Sequence, residues 1–365
     1  MTDFQPADYG YMAKALRLAK RGVYTTHPNP RVGCVLVKSG AIVGEGWHRM
    51  AGEAHAEINA LAMAGEEARG STAYVTLEPC SHHGKTRPCT DALIDAGVAK
   101  VIAAMGDPNP SVSGSGFDML RNAGIEVSAG LLQAEAKALN EGFMSRFTRG
   151  RPFVRLKIAA SLDGRTAMSS GESQWITGVA ARQDVQRLRA ASGAILTGVS
   201  TVISDDPSLT VRDESIDTDG RQPVRAILDS QLKMPLSARM LALPGSTLVF
   251  CVDDSNRQPL ENAGAEIHLV PANAGRPDLE AALRKLAEFQ INDVLVEAGP
   301  VLAGSLVSAD LVDELVIYQA PHMMGSETRG MATTPDWLAL DHRLDLDIVD
   351  IRKIGKDIRI TARPQ

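Results

Sequence analysis

Cysteine is scarce in this sequence, with only Cys34, Cys80, Cys89 and Cys251 among 365 residues. That density argues against a disulfide scaffold and suits a reducing compartment, so a cytoplasmic location is expected. A basic excess is missing too: 38 Lys and Arg stand against 44 Asp and Glu, for a formal net charge of -6. Polynucleotide binders usually carry the opposite imbalance, so nucleic acid is disfavoured as a partner, although local basic clusters can still hold a phosphate. No apolar run reaches the ~18 residues of a membrane span. The opening Met1-Thr2-Asp3-Phe4 has no basic stretch leading into an apolar one, so no export signal is expected. Repeats and low-complexity segments are lacking. What is present is 44% hydrophobic residues, enough for packed cores, in a chain long enough for two domains.

Four side chains stand out against this background. His55-Ala56-Glu57 follows an apolar strand pattern and opens a helical one; Pro79-Cys80 follows a second strand, and Cys89 comes nine positions later. One imidazole and two thiolates form a tetrahedral zinc site that keeps one position for water. A zinc-bound water ionises near neutral pH. Glu57 is two residues from a ligand, so it can lie beside that water as the proton shuttle without binding the metal. His-x-Glu followed by Pro-Cys-x-x-Cys is the pattern of zinc deaminases. Here eight residues, Ser81 to Pro88, separate the cysteines instead of two. The longer loop adds polar and cationic groups, which suits an anionic small substrate. Cys80 and Cys89 are both expected at helix starts, where the dipole favours thiolate. The plainer readings are two buried thiols, or a structural zinc closed by His82 or His83. The strand and helix context favours catalysis.

Elsewhere the pattern alternates. Helices are expected over residues 7–21, 57–65, 90–96, 132–146, 178–191 and 277–289. Strands are expected over 32–37, 41–47, 72–77, 100–105, 153–160, 194–197, 224–228, 247–252, 266–270 and 294–297. Later strands fall at 315–319, 344–349 and 358–361, the last two antiparallel. Such alternation implies an α/β chain with mainly parallel, helix-covered sheets and sites beyond the carboxyl ends of strands. The junction lies in residues 148–152. Cys34 reads as core. Asn29, bracketed by Pro28 and Pro30 in a rigid extended loop, either reads a base edge or serves the turn, the latter being slightly preferred. Gly114-Ser115-Gly116 lacks the last glycine of a dinucleotide fingerprint and reads as a loop. Glu297-Ala298-Gly299-Pro300 is either an ordinary strand-to-helix turn or an anion site at a helix start. Asp205-Asp206-Pro207 reads as a turn rather than a magnesium pair.

Taken together, the chain resembles the bifunctional riboflavin-biosynthesis deaminase/reductase family. The resemblance rests on His27-Pro28-Asn29-Pro30, Val32-Gly33, His55-Ala56-Glu57, and Thr76 through Thr86 with Pro88-Cys89. It continues through Asn140-Glu141-Gly142-Phe143, Ser161 to Arg165, Ser173 to Thr177, Asp205-Asp206-Pro207 and Val296 to Pro300. These segments run in family order from end to end, and the cysteine spacing, odd for deaminases at large, is normal there.

The resemblance implies a cytidine-deaminase-like domain at 1–148 and a dihydrofolate-reductase-like domain at 149–365. Zinc-hydroxide deamination of a small phosphorylated pyrimidine, the diamino ribosylamino pyrimidinone phosphate, comes first; NADPH reduction of its ribosyl group to ribityl follows. It also implies a homodimer. By family similarity Glu57 is catalytic and His55, Cys80 and Cys89 hold zinc. Ala159, Trp175, Thr201, Asp205 and Ser230 contact the nicotinamide cofactor, as do Gly299, Pro300, Val301, Leu302, Ala303, Gly304 and Ser305. Ser173, Arg189, Leu209, Arg212 and Glu297 contact the substrate, with the two arginines suited to clamp a phosphate. Two rivals are a nucleic-acid or nucleoside deaminase with an appended binding domain and a zinc-stabilised binding protein. The first predicts a basic groove and a short cysteine loop, and the second predicts four protein ligands.

Overall fold

Helix α1 (Pro6–Ala19) starts where proline takes the first position and the Gln5 N–H finds the Asp8 carboxylate at 2.8 Å. Its buried side, Met12, Ala15, Leu16 and Ala19, follows the expected helical period. The computed structural model describes residues 4–81, 87–110, 112–335 and 337–365, which form two units, 1–150 and 151–365. No helix among the described residues is long and apolar enough to cross a membrane.

The first unit continues with strands β1 (Gly33–Lys38) and β2 (Ala41–Trp47), helix α2 (Ala56–Ala64), strand β3 (Thr72–Val75) and helix α3 (Cys89–Asp95). Then come β4 (Lys100–Ala103), α4 (Ser115–Asn122), β5 (Glu126–Ala129), α5 (Gln133–Leu139) and α6 (Glu141–Arg149). The sheet order is β2-β1-β3-β4-β5. β1 is antiparallel to both β2 and β3, and only β3, β4 and β5 run parallel, so this sheet is mixed rather than mainly parallel. Alternation along β1 splits the core: Cys34 and Leu36 join the layer of α2, α3 and α4, while Val35 and Val37 join that of α1 and Phe143. Cys34 is core, as expected.

Three further readings change here. Gly114-Ser115-Gly116 opens helix α4 instead of forming a loop, because Gly116 lets the helix start press against the Pro79 carbonyl. The helix expected over 132–146 is two helices, broken at Asn140. The segment around Asn29 turns rather than running extended, with the Asn29 N–H returning to the Thr26 carbonyl at 2.8 Å.

Unit two has a nine-stranded sheet. Its elements are β6 (Phe153–Ser161), β7 (Arg165–Ala167), α7 (Val179–Ala191), β8 (Ala194–Gly198), α8 (Val199–Asp205), β9 (Val224–Leu228), β10 (Thr247–Cys251), α9 (Gln258–Asn262) and β11 (Ala265–Leu269). A two-residue pair, β12 (Ala272–Asn273) and β13 (Arg276–Pro277), precedes α10 (Leu279–Glu288), β14 (Asp293–Glu297), α11 (Pro300–Ser308) and β15 (Glu314–Ala320). β16 (Arg329–Gly330) pairs with β7, and the hairpin β17 (Leu346–Ile354) and β18 (Asp357–Pro364) ends the chain. The order is β11-β10-β9-β8-β14-β6-β15-β18-β17. The first seven run parallel; β18 is antiparallel to β15 and to β17, the latter pairing as expected. The strand expected at 344–349 is displaced to Leu346–Ile354. From β6 the chain moves towards β11, and β14 brings it back between β8 and β6. The order therefore reverses beside β8 and β14, which puts a crevice at their carboxyl ends.

Two glycines decide how closely α2 lies on β2. A Cβ on Gly44 would meet the Ala60 carbonyl oxygen at 2.3 Å, and one on Gly46 the Ala56 carbonyl oxygen at 2.2 Å. Gly46→Ala should therefore destabilise the first unit by about 1–3 kcal/mol through overpacking. Gly10→Ala, in helix α1 with nothing within 4 Å, should be neutral or gain up to about 1 kcal/mol. Urea midpoints of the two variants check the contrast.

Candidate active sites

The ends of three backbone segments meet in the first unit. His55 is the N-cap of α2, Cys89 is the first residue of α3, and Cys80 follows β3 in an irregular segment rather than at the expected helix start. The Nδ1 of His55 lies 3.3 Å from Cys89 Sγ and 3.5 Å from Cys80 Sγ, and all three donor atoms lie within 4.8 Å of one another. Two sulfurs and one imidazole nitrogen at edge lengths of this size fit tetrahedral zinc, with Zn–S of about 2.3 Å and Zn–N of about 2.0–2.1 Å. Among the described residues this is the one such cluster. His82 and His83, the expected alternatives for a fourth ligand, lie outside the described residues.

Local hydrogen bonds hold the two cysteines together. The Cys80 carbonyl accepts from the Thr90 N–H at 3.2 Å and from the Thr90 hydroxyl at 3.1 Å, and the Cys89 N–H points at Cys80 Sγ at 3.3 Å. The Cys80 thiol is drawn down to about 4, first by its hydrogen bond with Cys89, which outweighs burial, and then by His55. The same bond, together with burial, pushes Cys89 the other way. Glu57 is 3% exposed in the first turn of α2, and burial followed by the Cys80 charge raises its carboxyl to about 7. Arg87, within the cysteine loop, turns to α3 and pairs with Asp95 at 2.6 Å and Asp91 at 3.5 Å, so its charge is not left for an anion.

Sequence reasoning missed the role of Glu78. Its buried carboxylate accepts from the backbone N–H groups of Asp107 (3.1 Å), Gly114 (3.0 Å) and Gly116 (2.9 Å). It ties the α4 start to the cysteine segment, and its adjacency to Pro79-Cys80 was the available signal. His48 was also missed. Its ring lies edge-on to His55 with centroids 5.2 Å apart, and its Nε2 is 3.0 Å from Asn29 Nδ2. With Nδ1 3.3 Å from the Ala54 carbonyl, a ring protonated at Nδ1 satisfies both contacts. Asn29 therefore sits in a turn, the reading slightly preferred, and its amide meets the His48 ring that stands edge-on to His55.

In the second unit several of the expected residues lie at or just beyond the carboxyl ends of the sheet strands. Ala159 and Glu297 lie near the carboxyl ends of neighbouring strands β6 and β14; Thr201 and Asp205 lie on α8 beyond β8, and Ser230 lies two residues beyond β9. Gly299 caps α11, which starts at Pro300, with open space at its Cα. Val301 is exposed and Leu302 partly buried. Ala303 packs in the core, Gly304 lies against the Thr333 backbone, and the Ser305 hydroxyl donates to the Val301 carbonyl at 2.9 Å. Trp175 is exposed under the Arg182 guanidinium at 4.5 Å, and Ser173 is half-buried in the same segment. Leu209 is buried at φ 48. Asp206 takes Arg239 at 2.9 Å, in keeping with a turn rather than a magnesium pair.

Arg189 does not leave its guanidinium open for a phosphate. It holds Glu297 through Nε at 2.6 Å and Nη2 at 3.1 Å, and its Nη1 donates to the Thr210 carbonyl at 3.0 Å. Lys157 adds a second cation at 3.5 Å. Arg212 lies at the surface, 3.5 Å from the Ser208 hydroxyl. Burial raises the Glu297 carboxyl, but Arg189 and then Lys157 outweigh it and bring it to about 2.

Comparison with known proteins gives matches over both units. The family described as "RibD C-terminal domain" matches residues 152–360, and "Cytidine and deoxycytidylate deaminase zinc-binding region" matches residues 6–105. The riboflavin biosynthesis protein RibD of Escherichia coli (strain K12) is 52% identical over 360 residues, 96% of this chain and 98% of that one. The solved Acinetobacter baumannii RibD is similar with a TM-score of 0.92 at 46% identity, covering 98% of this chain and 99% of that chain. A diaminohydroxyphosphoribosylaminopyrimidine deaminase/5-amino-6-(5-phosphoribosylamino)uracil reductase from Thermotoga maritima gives a TM-score of 0.86 at 35% identity over 98% and 99%.

The buried ion pair sets an acid-stability test. Glu297→Gln strands the Arg189 charge and should cost about 3–5 kcal/mol. The Glu297 carboxyl is at about 2 when folded and at about 4.3 when unfolded. Its depressed value stabilises the fold fully above the unfolded value, and this contribution fades as pH falls towards the folded one. Denaturation midpoints of wild type and variant should differ at neutral pH and converge across that window. A gap that stays constant with pH would refute the assignment.

Proposed function

The chain belongs to the RibD family of riboflavin biosynthesis proteins, and we propose that deamination is carried by residues 1–148 and reduction by residues 149–365. The protein is a bifunctional zinc deaminase and NADPH-dependent reductase of riboflavin biosynthesis, with a cytidine-deaminase-like first fold and a dihydrofolate-reductase-like second fold. In our reading the deaminase removes an exocyclic amine from the phosphorylated diamino ribosylamino pyrimidinone. The reductase then converts the ribosyl group of the aminouracil product to ribityl.

The observation that carries the first step is the convergence of His55, Cys80 and Cys89 beside the buried Glu57. His55, Cys80 and Cys89 would hold a zinc ion, which would supply a Lewis acid able to lower the pKa of a water. Glu57, placed two residues from a ligand, would shuttle two protons in turn: the first from the water to the ring nitrogen, the second from the new hydroxyl to the departing amine, which leaves as ammonia. The Asn29 NH2 group is committed to His48, which leaves its carbonyl oxygen to accept from an N–H of the pyrimidine. A nucleic-acid deaminase remains disfavoured by the acidic charge balance.

For the second step, bound NADPH supplies a hydride, and the protein holds donor and acceptor in register. The Val301 and Leu302 N–H groups, in the first turn of α11, would hold a cofactor phosphate. Ala159, Trp175, Thr201, Asp205 and Ser230, with the segment from Gly299 to Ser305, form the cofactor side. Ser173, Leu209, Arg212 and the Arg189–Glu297 pair form the substrate side. With Arg189 engaged, Arg212 is the arginine left for the substrate phosphate.

We also read the enzyme as a cytoplasmic homodimer. Four unpaired cysteine thiols suit a reducing compartment. Strand β17 ends the sheet order, and its Ile348 (61%), Val349 (56%) and Ile351 (60%) are exposed. Apolar residues on an unpaired edge strand favour a second copy.

Glu57→Gln should keep zinc, read by metal analysis, while deamination falls by about 10²–10⁴-fold. Full deaminase activity in that variant would defeat the mechanism. Chelation of zinc should leave NADPH oxidation with the deaminated product intact, and its loss would defeat the division of labour. The double change Ile348→Lys with Ile351→Lys should halve the mass seen by light scattering while leaving deamination in place.

A further inference from the structure

We propose that Asn140 is a positioning residue of the deaminase: it clamps the turn that presents the Asn29 amide to His48, the ring that stands edge-on to His55. Asn140 is 3% exposed and lies between α5 and α6. Its side chain exchanges two hydrogen bonds with the backbone of a residue 109 positions away. The Arg31 N–H donates to Asn140 Oδ1 at 2.8 Å, and Asn140 Nδ2 donates to the Arg31 carbonyl at 3.0 Å. Arg31 returns a third bond from its Nη1 to the Leu139 carbonyl at 2.7 Å. One amide thus pairs with Arg31 on both sides, as a neighbouring strand would.

The clamp falls where the turn needs it. At one end Thr26 is fixed through its hydroxyl to the Gly22 carbonyl at 3.0 Å. At the other, the Gly33 N–H donates to the Thr76 hydroxyl at 3.1 Å. Between them stand Asn29, with its amide 3.0 Å from His48 Nε2, and Arg31, held by Asn140. The residue type follows from this. Asp has no donor for the Arg31 carbonyl, and Gln carries its amide one methylene further out. The sequence also accepts a cost for Asn140: its backbone at φ -123, ψ 30 interrupts what would otherwise be one helix. A local rule broken without local gain is expected where a site needs support.

This inference rests on the deaminase reading and on Asn29 facing the pyrimidine. The test uses the zinc-loaded full chain and its pyrimidine substrate. Asn140→Asp, which keeps the shape, and Asn140→Ala should each lower deaminase kcat/KM by about tenfold, the scale of a lost hydrogen bond. The loss should appear chiefly in KM, with zinc content and reductase kcat/KM unchanged. In an Asn29→Ala background the same changes should have less than about a twofold effect, because the two positions act through one contact. Losses that multiply independently of Asn29 overturn the proposal, as does a parallel loss of zinc or of reductase activity. A wild-type chain that does not deaminate at all overturns the functional reading first, before any variant is compared.

Discussion

Three backbone segments must come closer than ordinary side chains allow before His55, Cys80 and Cys89 can share an ion. Gly44 and Gly46 admit the backbone of α2 to the face of β2, and Gly116 admits the start of α4 to the Pro79 carbonyl. In both places a Cβ would collide with backbone, which cannot rotate away. The catalytic geometry of the first unit is therefore set by contacts between main chains, with Glu78 binding the amides that this approach brings near. The acidity of the donors is secondary to that placement, because only donors already in register can act on one metal.

In the second unit, placement is set by charge. Glu297 ends a parallel strand and is held between Arg189 and Lys157 in a buried setting. Such a pair is weak support for overall stability, since removing charges from water offsets most of their attraction. Its value lies in direction: a bidentate bond fixes the carboxylate plane and orients whatever approaches the strand ends. The open start of α11 lies three residues beyond Glu297, the last residue of its strand, so both features stand at the same reversal of strand order.

Much of this was legible in the residues. The metal donors and Glu57 were readable because their types and spacing have few other uses, and the strands were readable because alternation marks the buried faces. The Glu297-to-Pro300 turn was readable because proline can open a helix. Other features were not. The mixed direction of the first sheet depends on which strands pair, which periodicity does not encode. The break at Asn140 was hidden because its cause, Arg31, is 109 residues away. The opening of α4 is hidden because an incomplete dinucleotide fingerprint reads as a loop, whereas Gly116 serves a close approach. The engagement of Arg189 was likewise invisible, since a sequence shows a charge but not the carboxylate that neutralises it.

The Thr90 clasp on the Cys80 carbonyl has an evolutionary corollary. Because the stem of the cysteine loop is closed at its base by the Thr90 N–H and hydroxyl on the Cys80 carbonyl, whatever is inserted between Cys80 and Cys89 has little leverage on the donor atoms. That segment can lengthen, shorten or change its chemistry while ligation survives. Selection can then change the loop without first having to rebuild the way the metal donors are held.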